Sequence, residues 1–111
     1  MLIVNRETFM KLPPDTVFSK YEPCVFGDIC IKGESSAGID FYYSSIADGF
    51  DWGNTEEFVA ILECAEKHGE SVSMQFNEVQ RDGFFDKEQL FAVWENKDVL
   101  ALINRLKQCV K

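Results

Sequence analysis

Apolar residues change their spacing along this chain, and the change limits the folds that it can adopt. In the first half they alternate with polar residues, as in residues 16–21, and a two-residue period is typical of β-strands. At residues 55–68 they recur every three or four positions, which predicts an amphipathic helix. Strands that precede helices, without a regular strand–helix alternation, favour an α+β fold.

The first half is predicted to contain one short helix and three strands. Asn5 is the predicted N-cap of the helix, which ends before Pro13. The strands cover residues 16–21, 26–32 and 39–46, and the sequence GESSAG supplies the hairpin turn between the last two. These strands are expected to form an antiparallel meander.

The second half begins with a helix at residues 55–68, which Asn54 or Thr55 caps and Gly69 ends. Apolar and polar residues alternate again at residues 72–77, and this pattern predicts a half-buried strand. The helix and this strand are expected to extend the sheet and to cover it.

The sequence LFAVW, residues 90–94, fits two structures. Asp86 followed by Gln89 resembles a helix capping box, whereas five consecutive apolar residues suit a buried strand. We predict the strand, because Glu95 and Asn96 then begin a separate helix. The apolar stripe of that helix consists of Val99, Leu102, Ile103, Leu106 and Val110.

Together these elements predict a single α+β domain over residues 1–111. It contains an antiparallel sheet of about five strands and two main helices. The helices are expected to cover one face of the sheet, and the other face meets solvent, loops or a partner subunit.

The chain is acidic, with 19 Asp and Glu against 11 Lys and Arg and a formal net charge of −8. This charge opposes contact with nucleic acid and with anionic membranes. Arg6 and Glu7 interrupt the first apolar run, so we expect no signal peptide, and no stretch approaches the roughly 20 apolar residues that cross a bilayer. We therefore expect a cytoplasmic protein that binds neither membranes nor nucleic acid directly.

The sequence contains no recognisable catalytic or metal-binding motif. His68 is the only histidine, and no serine or cysteine lies in a GxSxG or similar setting. The four cysteines form no CxxC pair, and the acidic stretches lack the spacing of a calcium loop. We expect no enzymatic activity, no metal site and no cofactor.

A small anionic ligand would need local cations and aromatic surfaces in so acidic a chain. Arginine holds phosphate with two hydrogen bonds, and aromatic rings stack on bases. The predicted ligand-binding residues are Arg81, Phe84, Lys32, Arg105 and Tyr43. A plain Asp-Gly turn is the simpler explanation of residues 81–83. A ligand site predicts instead that Arg81→Ala weakens binding and leaves the melting temperature nearly unchanged.

Binding to another protein is the alternative function. Acidic side chains are concentrated in one region, at Glu56, Glu57, Glu63, Glu66 and Glu70. They form either a solvated face or a surface for a basic partner, as in small inhibitors that imitate nucleic acid. The aromatic-rich third strand is typical of a core and also of a subunit interface, so a homo-oligomer is one expectation.

Three blocks of the sequence resemble a family of small phage proteins. The blocks are FMKLPPDTVFSKYEPCVFGDICIKGES, DFYYSSIA and RDGFFDKEQLFAVWENKDVLALINRL, which together span most of the chain. They are similar to the Thoeris anti-defence proteins of phages and prophages, which sequester cyclic nucleotide signals. The resemblance implies a cytoplasmic homo-oligomer that binds a cyclic ADP-ribose isomer made by a bacterial TIR enzyme and does not turn it over.

The site residues are not carried over from this family. Only eleven basic residues are available, and no ligand-binding residue of the family matches a position here with certainty. The five candidates therefore depend on their own chemistry. The alternative within the same setting is a small acidic phage inhibitor that binds a host defence protein directly.

Overall fold

Seven strands form one antiparallel sheet in the computed structural model, which describes residues 1–77 and 79–111. The strands of the described residues are β1 (Leu2–Val4), β2 (Thr16–Glu22), β3 (Val25–Phe26), β4 (Cys30–Ser36), β5 (Asp40–Ser45), β6 (Gln80–Arg81) and β7 (Leu90–Val93). The helices are α1 (Arg6–Met10), α2 (Thr55–His68) and α3 (Asn96–Lys107). The predicted α+β fold is confirmed, and the sheet has more strands than expected because β1, β3 and β6 are very short.

The strands lie in the order β1-β7-β2-β4-β5-β6, and β3 pairs with β2. β7 is thus inserted between β1 and β2, although it is the last strand in sequence. Val4 pairs with Phe91 and Phe18 pairs with Val93, which sets the register on both sides of β7. The predicted strand at residues 90–94 is therefore confirmed, and its apolar run is explained by its place inside the sheet.

Four phenylalanines form the centre of the core, and none is more than 1% exposed. They are Phe9, Phe18, Phe41 and Phe91. The ring of Phe9 stacks on that of Phe91 with centroids 3.9 Å apart and meets Phe18 and Phe41 edge-on at 4.7 and 5.0 Å. Such aromatic pairs add stabilisation beyond the area that they bury.

The short helix α1 supplies this central ring, although it has only five residues. Its predicted cap is confirmed, since the Asn5 side chain accepts a hydrogen bond from the Thr8 backbone N–H at 2.9 Å. By contrast, α2 and α3, both described throughout, contain no buried residue. The expectation that the two main helices cover the sheet is therefore wrong. The short helix α1 packs on the sheet instead.

Both long helices nevertheless begin where predicted, and α2 also ends there, whereas α3 ends at Lys107, before Val110 of the predicted stripe. The Asn54 side chain accepts a hydrogen bond from the Glu57 backbone N–H at 2.9 Å, and Gly69 ends α2 with a φ of 67°. α3 begins at Asn96, directly after its N-cap Glu95. Local capping chemistry therefore defines these helices without help from a buried face.

The predicted turn GESSAG is wrong in its position. β4 continues to Ser36, which pairs with Asp40 of β5 after an irregularity between Lys32 and Ser35. The chain reverses at Ala37 and Gly38, whose φ angles are 52° and 70°. A bulge thus absorbs the polar residues into the strand, which the composition alone does not predict.

The predicted strand at residues 72–77 is also wrong. Residues 71–77 have no regular secondary structure and cross the loop that follows β5, where the Gln75 backbone N–H donates to the Gly49 carbonyl oxygen. Met74 and Phe76 are 47% and 48% exposed. The alternating pattern is therefore present, but its apolar side chains are not buried together.

Candidate functional site

The turn at residues 81–85 is held in place by the buried carboxylate of Asp40, on β5. Asp40 Oδ2 accepts a hydrogen bond from Arg81 Nε at 2.6 Å, and Oδ1 accepts one from the Gly83 backbone N–H at 3.1 Å. Burial by itself would raise the pKa of Asp40, but the hydrogen bonds from Arg81, Gly83 and Phe41 outweigh it and hold that pKa below its usual value. One ionised side chain thus fixes both ends of the Arg-Asp-Gly sequence.

A second buried carboxylate, Asp82, anchors the turn from within. Its Oδ2 accepts a hydrogen bond from the Phe84 backbone N–H at 3.3 Å and lies 3.7 Å from Arg6 Nη1. Lys20 Nζ lies 2.6 Å from Oδ1, yet outside the directions of a hydrogen bond, so this oxygen is balanced by charge alone. Two cations, Arg6 and Lys20, thus lie against one buried acid.

The two phenylalanines of the turn are exposed. Phe84 is 74% and Phe85 45% exposed, and each lies beside a cation. Lys20 Nζ is 4.5 Å from the Phe84 ring centroid, and Arg81 Cζ is 5.9 Å from that of Phe85. Phe85 has a φ of 54°, a conformation that costs a bulky residue about 1–3 kcal/mol.

Phe85 forms part of the wall of a cavity of about 630 Å³. The cavity lies between α1, the β4–β5 turn and the segment that follows residue 84, and its lining residues are Arg6, Glu7, Met10, Lys11, Gly38, Ile39, Phe85 and Lys87. Its volume is in the range of sites for small molecules and cofactors. We refer to it as the α1 cavity.

The α1 cavity is cationic although the chain as a whole is acidic. Arg6, Lys11 and Lys87 line it against the single acid Glu7, and Arg6 is paired with the buried Asp82, so a local excess of one positive charge remains in a chain of net charge −8. Arg6 already donates to the Ile39 carbonyl oxygen at 2.8 Å. Lys11 lies 3.7 Å from Glu7, but both side chains are more than 75% exposed, and such pairs are weak. Lys11 and Lys87 are thus the cations most able to meet an anion.

Three of the predicted ligand residues lie around the turn. Arg81 does not line the α1 cavity, but its Cζ lies 5.9 Å from the centroid of the Phe85 ring, which does, and its side chain is 57% exposed. Phe84 lies on Lys20, and Lys20 and Tyr43 line a smaller cavity of about 250 Å³. Burial raises the pKa of Tyr43. The structure therefore places Arg81 by one cavity, Tyr43 in another and Phe84 between solvent and Lys20.

The other two predicted residues are elsewhere. Lys32 is 1% exposed, and its Nζ donates to Ser35 Oγ at 2.9 Å and to the Gly33 carbonyl oxygen at 3.1 Å. Burial lowers the pKa of Lys32. Arg105 is exposed on α3, where its Nη1 donates to Cys109 Sγ at 3.6 Å. Neither residue lines the α1 cavity.

Sequence reasoning did not identify Arg6, Lys11, Phe85 and Lys87 as a group. The pairing of β1 with β7, with Val4 opposite Phe91, brings the residues after β1 close to those before β7. The sequence predicted Phe84 as a ligand-binding residue but not the adjacent Phe85. Because the register between distant strands decides this grouping, no local pattern reveals it.

Other chemistries have little support among residues 1–77 and 79–111. No group of three or more His, Cys, Asp and Glu side chains there is arranged to hold a metal ion. Burial raises the pKa of the Cys30 thiol to about 11, which keeps it protonated and unreactive at neutral pH. No helix in this described part combines the length and the apolar character needed to span a membrane.

Comparisons of the chain with protein-family models, with curated proteins and with solved structures give no match. The resemblance to the Thoeris anti-defence proteins therefore stays a prediction, and the functional argument depends on the cavity and its charges.

Proposed function

We propose that this protein binds and sequesters a cyclic nucleotide signal, of the cyclic ADP-ribose isomer type, without turning it over. The single observation that carries the proposal is the α1 cavity, which combines a cationic lining with the exposed ring of Phe85 in an acidic chain. The phage origin, the anti-defence role and the homo-oligomer belong to the same proposal and depend on the three-block resemblance.

The ligand chemistry follows from the lining residues. Lys11 and Lys87 provide charge for phosphate groups, and Arg81, which keeps only its Nε on Asp40, directs its guanidinium toward the same side as Phe85. The Phe85 ring and Ile39 offer an apolar surface on which a base stacks. A pyrophosphate joined to a purine satisfies both parts of this surface.

Sequestration requires tight binding and no chemistry. A dissociation constant of about 1 nM corresponds to roughly 12 kcal/mol, which calls for an enclosed and preorganised site. The hydrogen bonds that Asp40 accepts from Arg81 and Gly83 preorganise the turn, because they fix its backbone before a ligand binds. His68, the only histidine, is exposed at the end of α2 and away from the cavity lining.

Thermal unfolding with a panel of cyclic nucleotides tests the proposal. A ligand at 100 times its dissociation constant adds about 2.7 kcal/mol to the folded state, which raises the melting temperature of a domain of this size by roughly 10–20 °C. Ligand recovered from the complex should be chemically intact. The absence of any shift across the panel contradicts sequestration, and recovery of a cleaved ligand contradicts a non-catalytic role.

Charge reversal in the cavity locates the site. Lys87→Glu is expected to weaken binding at least about tenfold, or ~1.4 kcal/mol, because it places a negative charge beside the phosphates. The matched control is Lys67→Glu, which makes the same change of charge in the last turn of α2. Equal losses in the two variants would indicate a general charge effect instead of a site at the α1 cavity.

The alternative function, an acidic inhibitor of a host defence protein, is favoured by one feature of α2. Glu56, Glu63 and Glu66 are exposed on this helix, which has no buried residue. Such a surface steers a basic partner and binds it in a salt-sensitive manner. A host protein that is captured at low salt and released at high salt, in the absence of any nucleotide effect, would support this function.

A further inference from the structure

α3 has an apolar stripe that its own chain does not cover. Leu106 is 52% and Ile103 43% exposed, and Val99 and Leu102 are only partly buried. α3 is described throughout and contains no buried residue. A soluble amphipathic helix normally buries such a stripe, so this one is suited to a partner.

The flanks of the stripe are basic. Arg105 and Lys107 lie on either side of it when the helix is viewed along its axis, and α3 carries Lys97 and Asp98 in its first turn. The count over Asn96–Lys107 is three basic residues against one acid, a net charge of +2. This helix is therefore a positively charged element in a chain whose total charge is −8.

A groove of about 440 Å³ beside α2 has the complementary character. It lies between α2 and the segment at residues 70–75, and we refer to it as the α2 groove. Its apolar lining includes Ala60, Ile61 and Val72. Its acidic lining consists of Asp51, Glu57 and Glu70. An apolar floor with acidic rims is suited to an amphipathic helix with basic flanks.

We propose that α3 of one copy of this chain docks into the α2 groove of a second copy. Both surfaces are exposed and partly apolar, and their charges are opposite, which is the complementarity that such a contact requires. In a two-fold dimer this contact forms twice, once for each copy of α3. Arg105, predicted from the sequence as a ligand cation, is here an interface residue.

The mass of the protein in solution, measured by light scattering across a range of concentrations, is the first test. The wild type is expected to have at least twice the mass of one chain. Ile103→Asp with Leu106→Asp is expected to give a monomer, whereas Ala101→Asp, on the opposite side of α3, retains the assembly. A monomeric wild type, or an assembly that tolerates the double change, overturns the proposal.

A charge exchange between two variants identifies the partner surface. The first variant carries Arg105→Glu and Lys107→Glu, and the second carries Asp51→Lys and Glu70→Lys. Each alone is expected to be monomeric, because α3 and the α2 groove then have the same sign of charge. An equimolar mixture is expected to associate, and a mixture that stays monomeric overturns the pairing of these two surfaces. Circular dichroism of each variant shows that it is folded.

Discussion

Arg81 has a structural role as well as a predicted role in binding. Its Nε donates to Asp40, a carboxylate that is 1% exposed, so its loss leaves a buried negative charge without its cation. Removing one partner of a buried charged hydrogen bond costs about 1–3 kcal/mol. The sequence-based expectation of an almost unchanged melting temperature for Arg81→Ala is therefore replaced by a clear destabilisation.

We predict that Arg81→Ala both lowers the free energy of unfolding by about 1–3 kcal/mol and weakens ligand binding. Urea unfolding measures the first effect, and titration calorimetry well below the melting temperature measures the second. Lys67→Ala is the control, since Lys67 is an exposed cation in the last turn of α2 and lines neither the α1 cavity nor the α2 groove. Unchanged binding in a folded Arg81→Ala variant would leave Arg81 with its structural role alone.

Asp40 makes the stability depend on pH in a defined direction. Its pKa in the folded protein lies below the model-compound value of 3.8, so the unfolded chain binds more protons between the two values. The stabilisation from its ionised form is complete above about pH 5 and is lost as the pH falls through the folded pKa.

We predict that wild-type stability falls more steeply between pH 5 and pH 3 than that of Asp40→Asn, which has no charge to lose at this position. Urea unfolding at the two pH values gives the comparison. Asp28→Asn, at an exposed position, is expected to follow the wild type. Parallel curves for wild type and Asp40→Asn would contradict the paired carboxylate.

Among the elements, the segment at residues 71–77 depends on a close approach to Gly49. A Cβ atom at Gly49 would lie 2.6 Å from Phe76 Cδ1 and 2.7 Å from the Gln75 carbonyl oxygen. The backbone oxygen cannot move aside without displacing the whole segment. Gly49 therefore permits a crossing that any other residue would obstruct.

We predict that Gly49→Ala destabilises the protein by about 1–3 kcal/mol through this overpacking. The matched control is Gly53→Ala, whose Cβ would meet only the flexible end of the Glu57 side chain, and whose effect is expected to be small. Urea midpoints of the two variants give the comparison. Equal midpoints would show that the segment does not pass so close to Gly49.

Elements with strong local signals were predictable from the sequence, and those fixed by distant contacts were not. Asn5 and Asn54 cap the first turns of α1 and α2 with side-chain hydrogen bonds, and Gly69 ends α2 with a positive φ. These residues predicted the limits of the two helices correctly. The prediction of a strand at residues 72–77 was wrong. Alternating apolar residues are typical of a half-buried strand, but the strand also needs an adjacent strand to pair with. The α1 cavity was not predictable, since strand register assembles it.

At the scale of the whole molecule, stability is concentrated in the sheet and α1. The four core phenylalanines lie on β2, β5, β7 and α1, whereas α2 and α3 contain no buried residue. The fold therefore does not need α3 for its core.

We predict that deletion of residues 96–111 leaves a folded protein that unfolds cooperatively, because α3 contributes no buried side chain. Phe9→Ala is the contrasting variant and is expected to cost about 3–5 kcal/mol, since Phe9 is fully buried in the core. Near-UV circular dichroism and thermal unfolding measure both. Collapse of the deleted protein would show that α3 supports the sheet.

The two hydrogen bonds of Asp40 to the turn at residues 81–83 affect which residues of this protein can vary in evolution. They hold the backbone of residues 81–83, so the rings of Phe84 and Phe85, which are 74% and 45% exposed, are not needed to keep the turn in shape. Mutations at these two positions are therefore expected to alter the proposed binding surface and to leave the fold intact. Under the proposed function, these two positions can change with the ligand at little loss of stability.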